Sequence, residues 1–293
     1  VDLILSGHSH SGFTGKVGDV PIIQQYSSGT AIGVSDLRYD RVMHNILSSN
    51  LNVVTTWNAG ITPDATIANV VAGYQKEIAP TVNKVVGSTT GLISRGPDRY
   101  SMEVPMGDLI ADAQRWKSGT QIAFMNPGGI RADIAYPTYP HDITWGDLYT
   151  VQPFDNKMVT MTLTGAQIYA VLEQQFVPPQ SSIRLLQQSG LKYQFNTKNA
   201  AGSRILNLTL EDGTPIANDN STTYTVAMNE FIATGGDGFT AFLAGTNVTR
   251  IGVSDLDALV DYVMYKFGTP PANTPIDPTV YPKVEGRMVN VTP

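Results

Sequence analysis

The chain has 293 residues, enough for one large domain or two modest ones with real cores, with 42% hydrophobic and 15% charged residues. A formal net charge of -6 argues against a nucleic-acid polymer or an anionic membrane surface as partner, while leaving room for a small anion held by a few local cations. Cysteine is absent, which excludes disulfides, thiolate metal sites and cysteine nucleophiles, and no apolar run approaches the roughly 18 residues that span a bilayer.

In chain order, Val1–Ser6 is a near-continuous apolar run that reads as a buried strand, followed at once by Gly7-His8-Ser9-His10. Two imidazoles at the C-terminal end of a strand sit where open α/β sheets gather ligands and metals. The alternative is a polar loop with two exposed histidines. A chain starting in this way reads as starting inside a domain. Val20–Gln25, Ala31–Val34 and Asn52–Thr55 have strand character. Thr62-Pro63-Asp64 then signals a helix start with Asp64 as cap, and Ile67, Val70, Val71, Tyr74, Ile78 and Val82 recur at helical spacing. That helix is the natural connector between a strand-rich region at 1–60 and a mixed region at 85–293, with 61–84 as linker. His44 and His141 read as surface residues.

Beyond residue 85 the pattern alternates. A helix is expected from Met106 to Trp116, then a strand at Ile122–Met125 running into Asn126-Pro127-Gly128-Gly129-Ile130-Arg131. Glycines there let a backbone approach a ligand, and an arginine offers a planar fork for phosphate or carboxylate; a tight turn with a solvated arginine is the simpler alternative. Thr144–Asp147 opens a short helix, Phe154 lies on the next loop, Met158–Leu163 alternates as a strand, and Thr164-Gly165 starts a helix expected to reach Phe176. Strands follow near Leu191–Phe195, Arg204–Leu210 and Tyr224–Met228, then Phe231 and the glycine-rich Gly235-Gly236-Asp237-Gly238, which lacks the Gly-Lys-Ser/Thr of a phosphate-binding P-loop. Exposed aromatics on such loops can stack on a heterocycle, although each Phe taken singly fits a core plug better. Asp237 could accept hydrogen bonds from a base or ribose, or cap the turn that follows. Asp255–Phe267 reads as the last helix, and the Pro-rich tail from Thr269 as a wrap over the surface.

Taken in order, Gly7-His8-Ser9-His10, Asn126–Arg131, Thr144–Tyr149 with Pro153-Phe154, Leu163-Thr164-Gly165-Ala166-Gln167 and Phe231–Phe239 form a far more specific constellation than any single motif. It resembles the 5′-nucleotidase family of secreted metallophosphoesterases, with its UDP-sugar hydrolase and 2′,3′-cyclic nucleotide phosphodiesterase members, over nearly the whole chain. The resemblance implies a mixed α/β chain: the end of a metallophosphoesterase β-sandwich domain, a linker helix, and an α+β nucleotide-binding domain. It implies His8 and His10 as ligands of two divalent metal ions (zinc, manganese or similar), in a site left incomplete here because the family's other ligands lie upstream of this motif. It further implies that Phe154 and Phe231 sandwich a nucleobase, that Asp237 and Asn126 hydrogen-bond base or ribose, and that Arg131 contacts the phosphate. Gly129 belongs to the same substrate-binding set, with a second arginine before the Met106 helix at Arg99 or Arg95. Asp108 stands where relatives often carry Asn or Arg, so no phosphate contact is expected from it.

The reaction implied is hydrolysis of nucleotide phosphate esters, with the stacked base setting specificity and with substrate binding followed by a rotation about the linker helix that carries the substrate to the metals. The reaction then requires the remaining metallophosphoesterase part, either as a separate chain or as a stretch of the same protein upstream of this sequence. The alternatives are an isolated nucleoside-binding module without turnover, or a sulfur-ester hydrolase of the same architecture. An extracytoplasmic location, whether secreted, periplasmic or cell-surface, agrees with the many Asn, Ser and Thr residues and the few Lys and Glu.

Overall fold

The structure, a computed structural model, describes residues 1–176, 180–270 and 272–293. It divides into two compact units, Val1–Tyr74 and Gln75–Pro293. In the first, β1 (Ile4–Ser6) pairs in parallel with β3 (Val20–Gln24), and β2 (Phe13–Val17) pairs antiparallel on the other side of β3. Burial is concentrated in the central strand, where Ile23 is fully enclosed. The expected buried first strand is corrected here: β1 is three residues long and Leu5 is 72% exposed, because only one side of this edge strand is paired and its face has no packed layer. A long antiparallel hairpin follows, β4 (Ala31–Asp40) against β5 (Asn45–Thr55).

Helix α1 (Ala65–Val82) starts as its sequence requires: the Asp64 carboxylate accepts the Ile67 N–H at 3.0 Å. The division between the units falls inside this helix, and none of its residues is buried.

The second unit is built on a five-stranded sheet. Its elements are β6 (Val85–Thr89), α2 (Pro105–Ser118), β7 (Ile122–Met125), β8 (His141–Thr144), α3 (Trp145–Val151), β9 (Lys157–Thr164), α4 (Gly165–Glu173), β10 (Gln187–Ser189), β11 (Leu191–Phe195), β12 (Ile205–Leu210), β13 (Thr223–Asn229), α5 (Glu230–Ala233), β14 (Thr246–Ser254), α6 (Asp255–Phe267) and β15 (Met288–Asn290). The main sheet runs β10-β7-β13-β9-β14, with β7 and β13 parallel to one another and every other pair antiparallel. Smaller sheets are β12-β11-β15 and the pair β6-β8.

Alternation along these strands feeds two cores, as period-2 geometry demands. Ile122, Phe124, Val159, Met161 and Leu163 join the cluster of Ile168, Val171, Leu172 and Phe176, while Met125 joins Leu109, Ile110, Leu259 and Val263 of α2 and α6. Helix boundaries follow local chemistry. Pro105 sits at the first position of α2 and Gly119 closes it in the left-handed conformation, with φ 67°. Capping boxes open α3 (Thr144 with Asp147) and α4 (Thr164 with Gln167).

Two expectations need correction. Helix α4 ends at Glu173 rather than Phe176, because the buried Gln175 turns its amide back to donate to the Leu172 carbonyl at 3.0 Å. The tail after α6 is more than a surface wrap. Ile276 is fully buried, β15 adds a parallel strand to β11, and the buried Arg287 forks onto Asp112 of α2 at 2.8 and 2.9 Å. A bidentate guanidinium–carboxylate pair fixes orientation as well as charge. Burial alone would raise the Asp112 carboxyl, but the Arg287 fork, together with hydrogen bonds from Ser189 and Tyr281, outweighs it and holds it below its usual range. Asp108, one turn earlier, is only 3.7 Å from Arg287, has no hydrogen-bond donor on either oxygen, and is pushed up to about 9 by burial.

Candidate functional site

Strands β7 and β13 are parallel neighbours, with Met228 opposite Phe124, so their C-terminal ends deliver Asn126 and Asn229 side by side. Strand β9 runs antiparallel to β13 and begins at that same edge, with Asn229 opposite Met158, so the loop carrying Phe154 arrives there too. The edge beyond the carboxyl ends of parallel strands is where α/β sheets hold ligands. The topology therefore gathers Asn126, Arg131, Phe154, Phe231 and Asp237, residues scattered over more than a hundred positions of sequence.

The hydrogen bonds at this edge form a chain. Asn229, fully buried, caps α5 by accepting the Ile232 N–H at 3.1 Å and donates its amide to Asn126 Oδ1 at 2.9 Å. Asn126 in turn donates to Asp237 Oδ2 at 3.0 Å. Asp237 Oδ1 is paired with Arg184, and its main-chain carbonyl accepts from Gln180 at 2.8 Å. Asp237 holds a left-handed backbone conformation, φ 55°, between Gly235 and Gly238, which are also at positive φ. It does not cap the turn that follows, whose N-cap is Phe239.

Three arginines close on the loop after β7. Arg99 Nε donates to the Pro127 carbonyl at 2.7 Å, Arg131 Nη1 to Gly128 at 3.2 Å, and Arg95 Nη1 to the Arg131 carbonyl at 2.9 Å. Both arginines left open by the sequence, Arg95 and Arg99, thus reach the same loop. Among the described residues none of the three side chains has an acidic partner. Burial first, then repulsion from Arg95 and Arg131, lowers the Arg99 guanidinium from its usual value. Three guanidinium groups without acidic partners make this loop locally positive, a setting that favours a nearby anion.

The two aromatic residues are exposed: Phe154 is 54% and Phe231 43% accessible, which removes the core-plug alternative for both. The Arg131 guanidinium lies 5.7 Å from the Phe154 ring centre and backs it from one side. The Phe231 ring rests on Gly236, where a Cβ would meet its ring carbons at 2.8 Å. Between the glycines of the loop after β7, Gly129 is buried and its α-carbon faces the Met125 methyl; Gly128 is the one open toward Asn126 and Asp237. Asp108 lies away from this edge, buried beside Arg287. Sequence reasoning missed Arg184, Asn229, Tyr100 and Gln180. Only Asn229, at the end of a strand and immediately before Phe231, carried a signal that could have found it.

His8 and His10 belong to the first unit. Both are exposed and hold positive φ, 72° and 58°. Gln24 of β3 latches their loop through Ser6, Ser9 and the Ser11 carbonyl at 3.1, 2.5 and 2.8 Å. Among the described residues no three His, Asp or Glu side chains cluster to hold a metal ion. Two imidazoles fall short of the three or four ligands that fix a metal, so the donor set does not fit a binuclear centre unaided. His44 and His141 are exposed as expected, and His141 stacks on Tyr136 at 3.8 Å.

The family model of the 5′-nucleotidase C-terminal domain matches residues 85–244. The cell wall protein Lmo0130 of Listeria monocytogenes is 34% identical over 278 residues, covering 90% of this chain and 35% of that protein. The trifunctional nucleotide phosphoesterase protein YfkN of Bacillus subtilis is 30% identical over 307 residues, covering 99% of this chain and 20% of that protein. Among solved structures, a 5′-nucleotidase precursor from Thermus thermophilus superposes with a TM-score of 0.73 at 27% identity, covering 99% of this chain and 59% of the other. The chain spans about a third or less of these curated relatives. With a mixed α/β fold, a matching family model over more than half its length, and relatives along nearly all of it, the chain belongs to the 5′-nucleotidase family and carries that family's C-terminal domain.

Proposed function

We propose that the second unit is the nucleotide-binding part of a nucleotide phosphoester hydrolase. The observation that carries this reading is the convergence of three acid-free arginines and two exposed phenylalanines on one sheet edge. In this reading a flat heterocycle stacks between Phe154 and Phe231, the Asn126–Asp237 pair supplies hydrogen bonds beside it, and Arg95, Arg99 and Arg131 donate to the phosphate. A sulfur ester would leave the aromatic pair without a role. Within such a protein these residues bind and orient substrate: stacking fixes the base, and the arginine forks fix the phosphate end.

The donor set at His8 and His10 supports binding rather than turnover by this chain alone, with further metal ligands needed from elsewhere in the protein. The similarity to a cell wall protein supports an extracytoplasmic location; among the described residues no helix is long and apolar enough to cross a membrane.

Calorimetric titration of the chain with adenosine and AMP tests the reading. Both should bind, AMP more tightly, and each of Phe154→Ala and Phe231→Ala should weaken both ligands by about 1–3 kcal/mol. Binding unchanged in both variants would remove the base sandwich. Phosphate release from AMP by this chain with added Mn²⁺ would refute the assignment of binding without turnover.

A further inference from the structure

We infer that Arg184 is a specificity-determining positioning residue that makes the site selective for ribonucleosides over 2′-deoxyribonucleosides; this rests on the nucleoside-binding reading above. The argument is a count of lone pairs. An ionised carboxylate is acceptor-only, with two lone-pair positions on each oxygen. Arg184 Nη1 occupies one on Asp237 Oδ1, and Asn126 Nδ2 occupies one on Oδ2. What remains is one acceptor position on each of two adjacent oxygens. A vicinal diol presents two neighbouring O–H donors, which match those two positions; a 2′-deoxyribose leaves one empty.

The pairing also fixes which way the remaining positions point. A free aspartate rotates about its Cβ–Cγ bond and offers its lone pairs in any direction. Here both oxygens are tied from opposite sides, one to Arg184 and one to the chain that runs through Asn126 to Asn229. Arg184 is itself held: its main-chain N–H donates to the Gln175 carbonyl at 2.8 Å, the next residue's N–H donates to the Tyr100 carbonyl at 2.7 Å, and its guanidinium lies 5.9 Å from the Tyr100 ring centre. The side chains of Arg184 and Asp237 are 27% and 18% exposed, so the pair is ordered yet open to a ligand. Among the described residues the second Asn126 side-chain N–H has no partner, so a ring nitrogen or carbonyl of the base can take it.

The test measures affinities of the chain for adenosine and 2′-deoxyadenosine by calorimetry, in the wild type, Arg184→Met and Arg184→Lys. A hydroxyl donating to a charged acceptor predicts a wild-type preference for adenosine of about tenfold or more. Arg184→Met should collapse this preference to about twofold by weakening adenosine and sparing 2′-deoxyadenosine. Arg184→Lys, which keeps a cation near Oδ1, should restore part of it. A loss of packing alone would weaken both ligands equally, so the ratio separates the two explanations, and a thermal melt of each variant confirms folding. A wild type that binds both nucleosides equally, or an Arg184→Met ratio within twofold of wild type while Phe154→Ala still weakens both ligands, overturns the role of Arg184 alone. Binding of neither nucleoside by the wild type overturns the nucleoside-site reading, and this inference with it.

Discussion

Asp108→Asn should stabilise the protein, and increasingly so as pH rises. In the fold Asp108 is fully buried on α2, with no donor on either oxygen and Arg287 as far as 3.7 Å. Burial pushes its carboxyl up to about 9, offset only in part by Arg287, and the neighbouring Glu103 carboxylate pushes in the same direction as burial. In the unfolded chain the group returns to 3.8. Between those two values the folded state holds a proton that the unfolded state has lost, so stability falls with rising pH at about 1.4 kcal/mol per unit. Asparagine does not titrate, and its amide N–H can supply the donor that the bound proton supplies in the wild type. The difference in unfolding free energy between variant and wild type should therefore grow from pH 5 to pH 8, by about 4 kcal/mol in the limit of an unrelaxed site. Each kcal/mol should appear as about 2–4 °C in Tm for a unit of this size. Urea unfolding of both proteins at pH 5, 6, 7 and 8 reads this directly, and other titrating groups cancel in the difference. A difference that stays flat across the series, or a variant less stable than wild type at pH 8, would refute the reasoning.

Two shorter predictions concern the candidate site. On the proposed role of Arg131 as a phosphate contact, Arg131→Ala should weaken AMP by about 1.5–3 kcal/mol while leaving adenosine within about threefold; an equal loss for both ligands in the same titration would reassign it to supporting Phe154. Gly236→Ala should weaken both nucleoside and nucleotide, because the added Cβ meets the Phe231 ring at 2.8 Å and its carbonyl more closely still. Unaltered affinity in that variant would mean that the position of the Phe231 ring does not matter to binding.

Much of this protein was legible before any coordinates. Helix starts at Asp64, Thr144 and Thr164 were readable because caps act within four residues, and Asp255–Phe267 because its apolar spacing is purely local. Phe154, Phe231, Asn126, Arg131 and Asp237 could be singled out because each lies in a motif shared with a known family. What went wrong was non-local. The apolar run at β1 reads as buried from its composition, yet burial depends on what packs over it, and Leu5 is largely exposed. The Pro-rich tail reads as surface, but Arg287 is held inside by Asp112, 175 residues away in the chain.

The sequence by itself therefore determined the longer helices, the family and the choice of most candidate binding residues, since these rest on local periodicity and short motifs, whereas short strands such as His141–Thr144, Gln187–Ser189 and Met288–Asn290 and the longer Thr246–Ser254 carried no such signal. Only the tertiary structure decided how those residues work as a group. The parallel pairing of β7 with β13 sets Asn126 beside Asn229, and an ion pair from a different segment places Arg184 on Asp237. Such contacts join residues 53 or more positions apart, and no local rule of spacing encodes them.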